Sequence, residues 1–384
     1  MHSFISNVLY TPQQRIENAC VSVEDGKVVS FGTRDTLQTA SNQHVQDFSD
    51  CILAPGFFDV HIHGAAGYDV MGNDADGLNK ICKFLALRGV TSFFPTTVTA
   101  PLDVTLSALE RLGNAIDAAA SQDKGARPLG IHLEGPFLSH SKRGMHPPAD
   151  LLAPKLETFE RLWQAARGHV RMMTIAPELE GAEELIAEAT RRGVCVSIGH
   201  SDASLEQARR GITAGARHAT HTFNAMRPLD HREPGILGEV LTNRSISADV
   251  IADGIHVDPH IVDLLFRAKG AENFVLITDA ISATGMPEGR YFLGTVEVEV
   301  KDEKCLRDGK LAGSVLTLDR AVRNVMKFAR VDLQQAVRAA TMNPAKVTRI
   351  PKKGVIEAGS DADFVVLTQT GEVRATVIGG ELVQ

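Results

Sequence analysis

Short apolar runs recur through the middle of the chain, and each stops at a polar or turn residue. Examples are FFDV before His61, LGI before His132, VCVSIG before His200 and NFVLIT before Asp279. An apolar run of that length, bounded by turn signals, predicts a strand buried on both faces, as in a parallel sheet. The full series is LAPGFFDVHIH, TSFFPTT, PLGIHLE, VRMMTIAP, VCVSIGH, HATHTF, ISADVIAD and NFVLITDA. Between several of them lie helix-period stretches: DADGLNKICKFLALRG, PLDVTLSALERLGNAIDAAA, AEELIAEATRRG and SLEQARRGITAG. Strand and helix in alternation predict the α/β class, with a parallel sheet and helices outside it. About eight strands in roughly 300 residues favour a closed (β/α)8, TIM-like barrel over an open sheet.

The two ends of the chain read differently. CVSVEDGKVVSFG alternates apolar and polar residues about Asp25-Gly26, the pattern of a hairpin with a two-residue turn. GSDADFVVLTQTGEVRATVIGGELVQ gives two or three further strands, with Thr370-Gly371 and Gly379-Gly380 as turns. Neither end has enough strands to be stable alone. Residues 1–54 and 350–384 are therefore expected to pair into one small β-sandwich beside a barrel of residues 55–349.

Composition narrows the function classes. A chain of 384 residues with 43% hydrophobic and 23% charged residues is an ordinary globular protein. A net charge of −7 leaves no electrostatic footprint for nucleic acid or an anionic membrane, and pairs such as Lys142-Arg143 and Lys352-Lys353 read as solvated surface. Five scattered cysteines, odd in number and without CxxC spacing, argue against a disulfide framework. The N-terminus lacks signal-peptide character, and no apolar stretch is long enough to span a bilayer. The expectation is a cytoplasmic protein with a small-molecule partner and neither nucleic acid nor membrane. No GxGxxG or Walker loop points to a nucleotide.

Candidate chemistry gathers where the barrel strands end. Side chains at i and i+2 share a strand face, so His61 and His63 can chelate one ion. Imidazole suits zinc, iron and similar divalent ions. Glu134, His200 and His221 end later strands, and a carboxylate with two imidazoles is a catalytic-metal set that leaves a position for water. Asp279 fits the general base for that water. Singly, each has a structural explanation, such as a strand-end ion pair or a helix N-cap for the TDA aspartate. Their recurrence at strand ends favours one site. His132 is expected to pack near that site without binding metal, and His218 to point away from it. Asn224-Ala225 and KRGMHPPAD around His146 read as substrate-recognition loops, and Arg232 in HREPG and His256 in DGIHVD add groups suited to an anionic substrate, the alternative being ordinary loop polarity.

The motifs PGFFDVHIHG, HLEGPF, GHSDA, HTFNAM, REPG, DGIHVD, TDA, LAGS and GSDADFVVL run nearly end to end. In this order they resemble the N-acetylglucosamine-6-phosphate deacetylase family of the amidohydrolase superfamily. HLEGPF, HTFNAM and DGIHVD carry the resemblance to that branch; HxH and TDA indicate only the superfamily. The resemblance implies hydrolysis of an N-acetyl amide to glucosamine 6-phosphate and acetate, in amino-sugar catabolism and cell-wall recycling. It implies Glu134, His200 and His221 as principal metal ligands and Asp279 as acid/base. It assigns sugar-phosphate contacts to Met145, His146, Asn224, Ala225, Arg232, Asp253, Gly254, Ile255, His256, Leu311, Ala312 and Gly313.

Members of the family vary at the HxH position. This chain keeps His61 and His63, so the resemblance implies one or two divalent ions per subunit, zinc or iron first. With two, Glu134 would bridge and Asp279 would join the second. It also implies a homodimer in which the arginine reaches the neighbouring site. Two rival readings stand beside this one: another amidohydrolase, such as a cyclic-amide hydrolase or deaminase, and a metal-binding barrel without turnover. Glu134 stands where a cyclic-amide hydrolase often has a carboxylated lysine, and the intact Asp279 disfavours a mere scaffold.

Overall fold

Eight parallel strands form the barrel in the computed structural model: Phe57–Ile62, Val90–Thr97, Ile131–Glu134, Val170–Ile175, Cys195–Ile198, His218–Ala219, Ser247–Ile251 and Phe274–Ile277. They are hydrogen-bonded in chain order. The structure describes residues 2–36, 44–74, 76–119 and 125–383. Met1, residues 37–43 and Gln384 of the expected β unit, and Ala75 and Ala120 of the expected helical stretches, lie outside the described residues. The ring closes through a parallel bridge between Ile62 and Ala280, supported by Asp279 N–H to His61 O at 2.9 Å and His63 N–H to Ala280 O at 2.8 Å. Apart from the half-buried Arg171, all eight strands are buried along their whole length, which is why they read as apolar runs and not as alternations.

Two elements are shorter than their sequence patterns suggested. Of HATHTF only His218–Ala219 stays in the ladder, because the backbone turns at His221, Phe223 and Ala225, where φ is +29°, +81° and +51°. PLGIHLE gives the barrel strand Ile131–Glu134, and its Pro128 ends a separate two-residue strand, Arg127–Pro128, beside Val90–Thr97. The helices follow the expected stretches, at Gly77–Ala86, Leu102–Ala119, Ala182–Arg191 and Leu205–Ala214. The last begins at a capping box in which Ser204 and Gln207 satisfy each other's backbone N–H.

Both ends of the chain meet in one continuous seven-stranded sheet. In sheet order its strands are Glu381–Val383, Val373–Ile378, Phe364–Leu367, His44–Pro55, His2–Tyr10, Arg15–Glu24 and Lys27–Thr33. The sandwich expected of the two ends is thus built from an unbroken sheet, with a small core of its own that includes Phe4, Leu53, Phe364 and Val377. The Asp25-Gly26 hairpin forms as expected, with φ of +49° and +71° at its two central residues. The central strand His44–Pro55 runs through Gly56 straight into the first barrel strand. Lys353, grouped above with solvated charge, is instead buried and paired with Asp363 and, at 2.8 Å, with Asp361. Burial in that position requires its two carboxylate partners.

An antiparallel sheet with no counterpart in the sequence reading follows Asp279. Its strands are Gly289–Leu293, Val296–Lys301, Lys304–Arg307 and Lys310–Leu311. Its signals were present: VEVEVK alternates strictly between buried and exposed, and left-handed pairs at Asp302-Glu303 and Asp308-Gly309 make the tight turns. Among the described residues no helix is long and apolar enough to cross a membrane. All five cysteines are unpaired thiols.

Candidate active site

Glu134, His200, His221 and Asp279 sit at or just past the carboxyl ends of their strands, where the backbone must change direction. His200, His221 and Asp279 do so with φ of +47°, +29° and +51°. Left-handed backbone at a residue with a Cβ costs roughly 1–3 kcal/mol and persists only where the surroundings over-determine it. Here they do. Ser139 N–H bonds His200 O at 3.0 Å, Ser314 N–H bonds Asp279 O at 2.8 Å, and Asp249 accepts the N–H of His221. Gly135 turns the chain after Glu134 at φ +86°, and a Cβ there would lie 2.2 Å from Thr99 Oγ1. A glycine is required for Thr99 to stand so close.

Six side chains converge as two groups of three, His61–His63–Asp279 and Glu134–His200–His221. In the first, His63 Nε2 lies 3.0 Å from Asp279 Oδ1 and 3.2 Å from His61 Nε2. In the second, His200 Nε2 and His221 Nε2 each lie 3.1 Å from Glu134 Oε1. Glu134 joins the groups, its Oε2 lying 3.4 Å from His63 Nε2 and its Oε1 3.5 Å from His61 Nε2.

The donor set fits a divalent cation on local grounds. His63 Nδ1 is 2.9 Å from Thr96 O and His200 Nδ1 is 2.9 Å from Lys142 O. A carbonyl only accepts, so both Nδ1 atoms carry the proton, and in the neutral ring each Nε2 presents a lone pair. Each lone pair faces a carboxylate oxygen, an arrangement suited to a divalent cation between them. Without metal the protons rearrange in response. Burial opposes charge on His63 and His221, but the Asp279 and Glu134 carboxylates raise the first well above its usual range, and Glu134, with Asp279 and Asp249, raises the second to about 9. Burial dominates at His200, lowering it to about 4. It would also raise Asp279, yet the hydrogen bond from His63 and the charge of the imidazoles hold that carboxyl at about 2.

The remaining histidines divide by the same hydrogen-bond logic. Thr99 donates its backbone N–H to His146 Nδ1 at 3.2 Å, so the proton of a neutral His146 is on Nε2, 3.5 Å from Glu134 Oε2. His146 is a donor into the site, not a ligand. His132 gives Nδ1–H to Val60 O at 3.0 Å and accepts from Thr174 Oγ1 at 2.8 Å, so its lone pair is already used. Burial keeps it neutral. His218 faces Asp249 and Ser247, away from the two groups.

A cavity of about 360 Å³ opens above the two groups. It is lined by His63, Glu134, His200, His221 and Asp279 at its base, and by Met145, His146, Asn224, Ala225, His256, Leu311, Ala312 and Gly313. His61 lies beneath, fully buried. Asp253, Gly254 and Ile255 do not line the cavity. They form the turn that presents His256, whose Nδ1 is 2.7 Å from Asp253 Oδ2, while Asp253 Oδ1 accepts the N–H of Ile255 and of His256. Arg232 is exposed and outside its own chain's cavity. Lys142 and Arg143, set aside above as surface charge, line the cavity, as do Lys310, Leu293 and Ile251. The first two lay within the KRGMHPPAD segment, while Leu293 and Lys310 come from the antiparallel sheet that the sequence reading missed.

The Amidohydrolase family profile matches residues 52–383. The N-acetylglucosamine-6-phosphate deacetylase of Bos taurus is 41% identical over 351 residues, covering 88% of this chain and 85% of that protein. The enzyme of the same name from Lysinibacillus sphaericus is 36% identical, covering 96% of this chain and 94% of its own. A solved structure of a variant N-acetyl-D-glucosamine-6-phosphate deacetylase from Mycobacterium smegmatis, in complex with N-acetyl-D-glucosamine-6-phosphate, superposes with a TM-score of 0.92 at 32% identity, covering 100% of this chain and 99% of that one. With the paired ligand groups at the mouth of an eight-stranded barrel, this likeness over nearly the whole length shows that the chain belongs to the amidohydrolase family, in its N-acetylglucosamine-6-phosphate deacetylase branch.

Proposed function

We propose that the chain hydrolyses the N-acetyl amide of N-acetylglucosamine 6-phosphate to glucosamine 6-phosphate and acetate. The observation that carries this reading is the pair of ligand groups sharing Glu134 at the base of a cavity whose wall bears Lys142, Arg143 and Lys310. Residues 55–349 form the catalytic barrel, with 1–54 and 350–384 as its supporting β unit. Glu134, His200 and His221 hold one divalent ion, zinc or iron from the nitrogen-rich donor set, and His61, His63 and Asp279 provide for a second. Such an ion, when bound, polarises the amide carbonyl and lowers the pKa of water.

The chain's own groups perform the proton transfers. Asp279 takes the proton of the water that attacks the acetyl carbonyl, then returns it to the departing amine. His146 directs its Nε2–H at the developing oxyanion, a contribution of about 3–4 kcal/mol for one well-placed donor. His256, held by Asp253, and the cationic wall receive the sugar phosphate. Arg232, exposed on its own chain, serves the neighbouring subunit of a cytoplasmic homodimer. The test is acetate release from N-acetylglucosamine 6-phosphate by the purified chain. Release that stops with a chelator and returns with zinc is expected; no release from metal-replete protein overturns the reading.

A further inference from the structure

His221 lacks the support that orients its neighbour. The ring of His200 is fixed by its Nδ1–H to Lys142 O, whereas Nδ1 of His221 is buried with no partner among the described residues. An imidazole held at only one nitrogen takes its orientation from the backbone that carries it, and at His221 that backbone is left-handed.

A buried carboxylate on the next strand grips this backbone. Asp249 Oδ1 accepts the N–H of His221, and the Asp249 main-chain oxygen accepts the N–H of Thr222 at 3.0 Å. The other carboxylate oxygen is 2.8 Å from His218 Nε2. His218 is anchored in turn, with Nδ1 2.7 Å from Ser247 Oγ, which donates to Arg217 O at 3.2 Å. Asp249 and His218 are both fully buried, and neither lines the cavity nor belongs to a ligand group. A buried polar pair of this kind is weak evidence for stability in itself. What this one adds is a fixed acceptor beneath the strained turn.

We infer that Asp249, held in place by His218, is a positioning residue that sets His221 in ligand geometry through its main chain. It does for His221 what a carbonyl on the ring does for His200. The inference rests on the reading of His221 as a metal ligand, and the experiment separates the two.

Metal-free full-length protein is titrated with Co²⁺, following visible absorption and competition with a chelator, for wild type, His221→Ala, Asp249→Ala and Asp249→Asn. Loss of a supporting partner typically weakens metal binding by about 10–100-fold, which is the loss expected for Asp249→Ala together with an altered absorption band. Asp249→Asn is expected to bind nearly as wild type, because its amide oxygen still accepts from His221, and His218 can move its proton to Nδ1 and accept from the amide N–H. If Asp249→Ala does not fold, His218→Ala tests the same link by freeing the far carboxylate oxygen, and weaker Co²⁺ binding is again expected. A loss in His221→Ala with wild-type binding in Asp249→Ala (or in His218→Ala where that variant replaces it) overturns the positioning role alone. Equal loss in the Asn and Ala variants also overturns it. Wild-type binding by His221→Ala overturns the ligand reading and the inference with it.

Discussion

The two ligand groups solve one problem by different means. His61 and His63 lie on or just beyond a single strand, Phe57–Ile62, and neither has left-handed backbone. The strand's own pleat brings their Nε2 atoms to 3.2 Å. Glu134, His200 and His221 come from three strand ends, and both histidines sit in left-handed turns. Each group nevertheless has one imidazole fixed by its ring and one fixed through its main chain. His63 and His200 give Nδ1–H to Thr96 O and Lys142 O. His61 and His221 have no Nδ1 partner among the described residues and are held at their backbone N–H, by Asp59 and Asp249. The two histidines of the first group are therefore placed by the barrel wall alone, and only Asp279 joins them from a left-handed turn. The second group depends on turns and on the Lys142 segment, which also lines the cavity, so His200 and the cavity wall share a support there.

This contrast can be broken or sharpened by substitution. The largest effect is expected from Asp279→Asn. General acid–base catalysis contributes about 10²–10⁴-fold, and one group serving both transfers places the loss in kcat near the upper end. Metal analysis should still find the Glu134 group filled; near-normal turnover removes Asp279 from its role.

His146→Ala comes next. Removing one oxyanion donor costs about 10²–10³-fold in kcat, with metal content unchanged because His146 is a donor and not a ligand. Metal loss in this variant would contradict the tautomer fixed by Thr99.

The comparison itself is tested by the ligands. His200→Ala or His221→Ala should lower bound metal and activity together by at least about 100-fold, since even supporting partners cost 10–100-fold. His61→Ala and His63→Ala should cost less if one ion suffices. Equal loss across all four variants, measured by metal counting, would make the two groups one obligatory binuclear site.

The smallest effect is expected from Arg232→Ala, through KM. A charge-assisted contact of roughly 1.5–3 kcal/mol corresponds to about 10–100-fold, felt by the phosphorylated sugar and not by the unphosphorylated one. Mixing Arg232→Ala with Asp279→Asn subunits should restore part of the activity. Unchanged substrate discrimination and no complementation would place the phosphate elsewhere.

The sequence by itself determined the barrel, the pairing of the two chain ends and the ligand residue types. A parallel strand buried on both faces can only be apolar until it ends, so the first polar residues after each run marked the mouth of the barrel. Local patterns also carried the Asp25-Gly26 hairpin, because turn chemistry acts within a few residues. Only the tertiary structure decided which proton each imidazole carries, since that depends on carbonyls such as Thr96 O and Lys142 O, contributed from residues 33 and 58 positions away. The same is true of Lys142, Arg143 and Lys310 facing one cavity, of Lys353 being buried between carboxylates, and of Asp249 lying under His221. Polarity is written residue by residue, but a hydrogen-bond partner across the barrel is chosen only when the ring of strands closes.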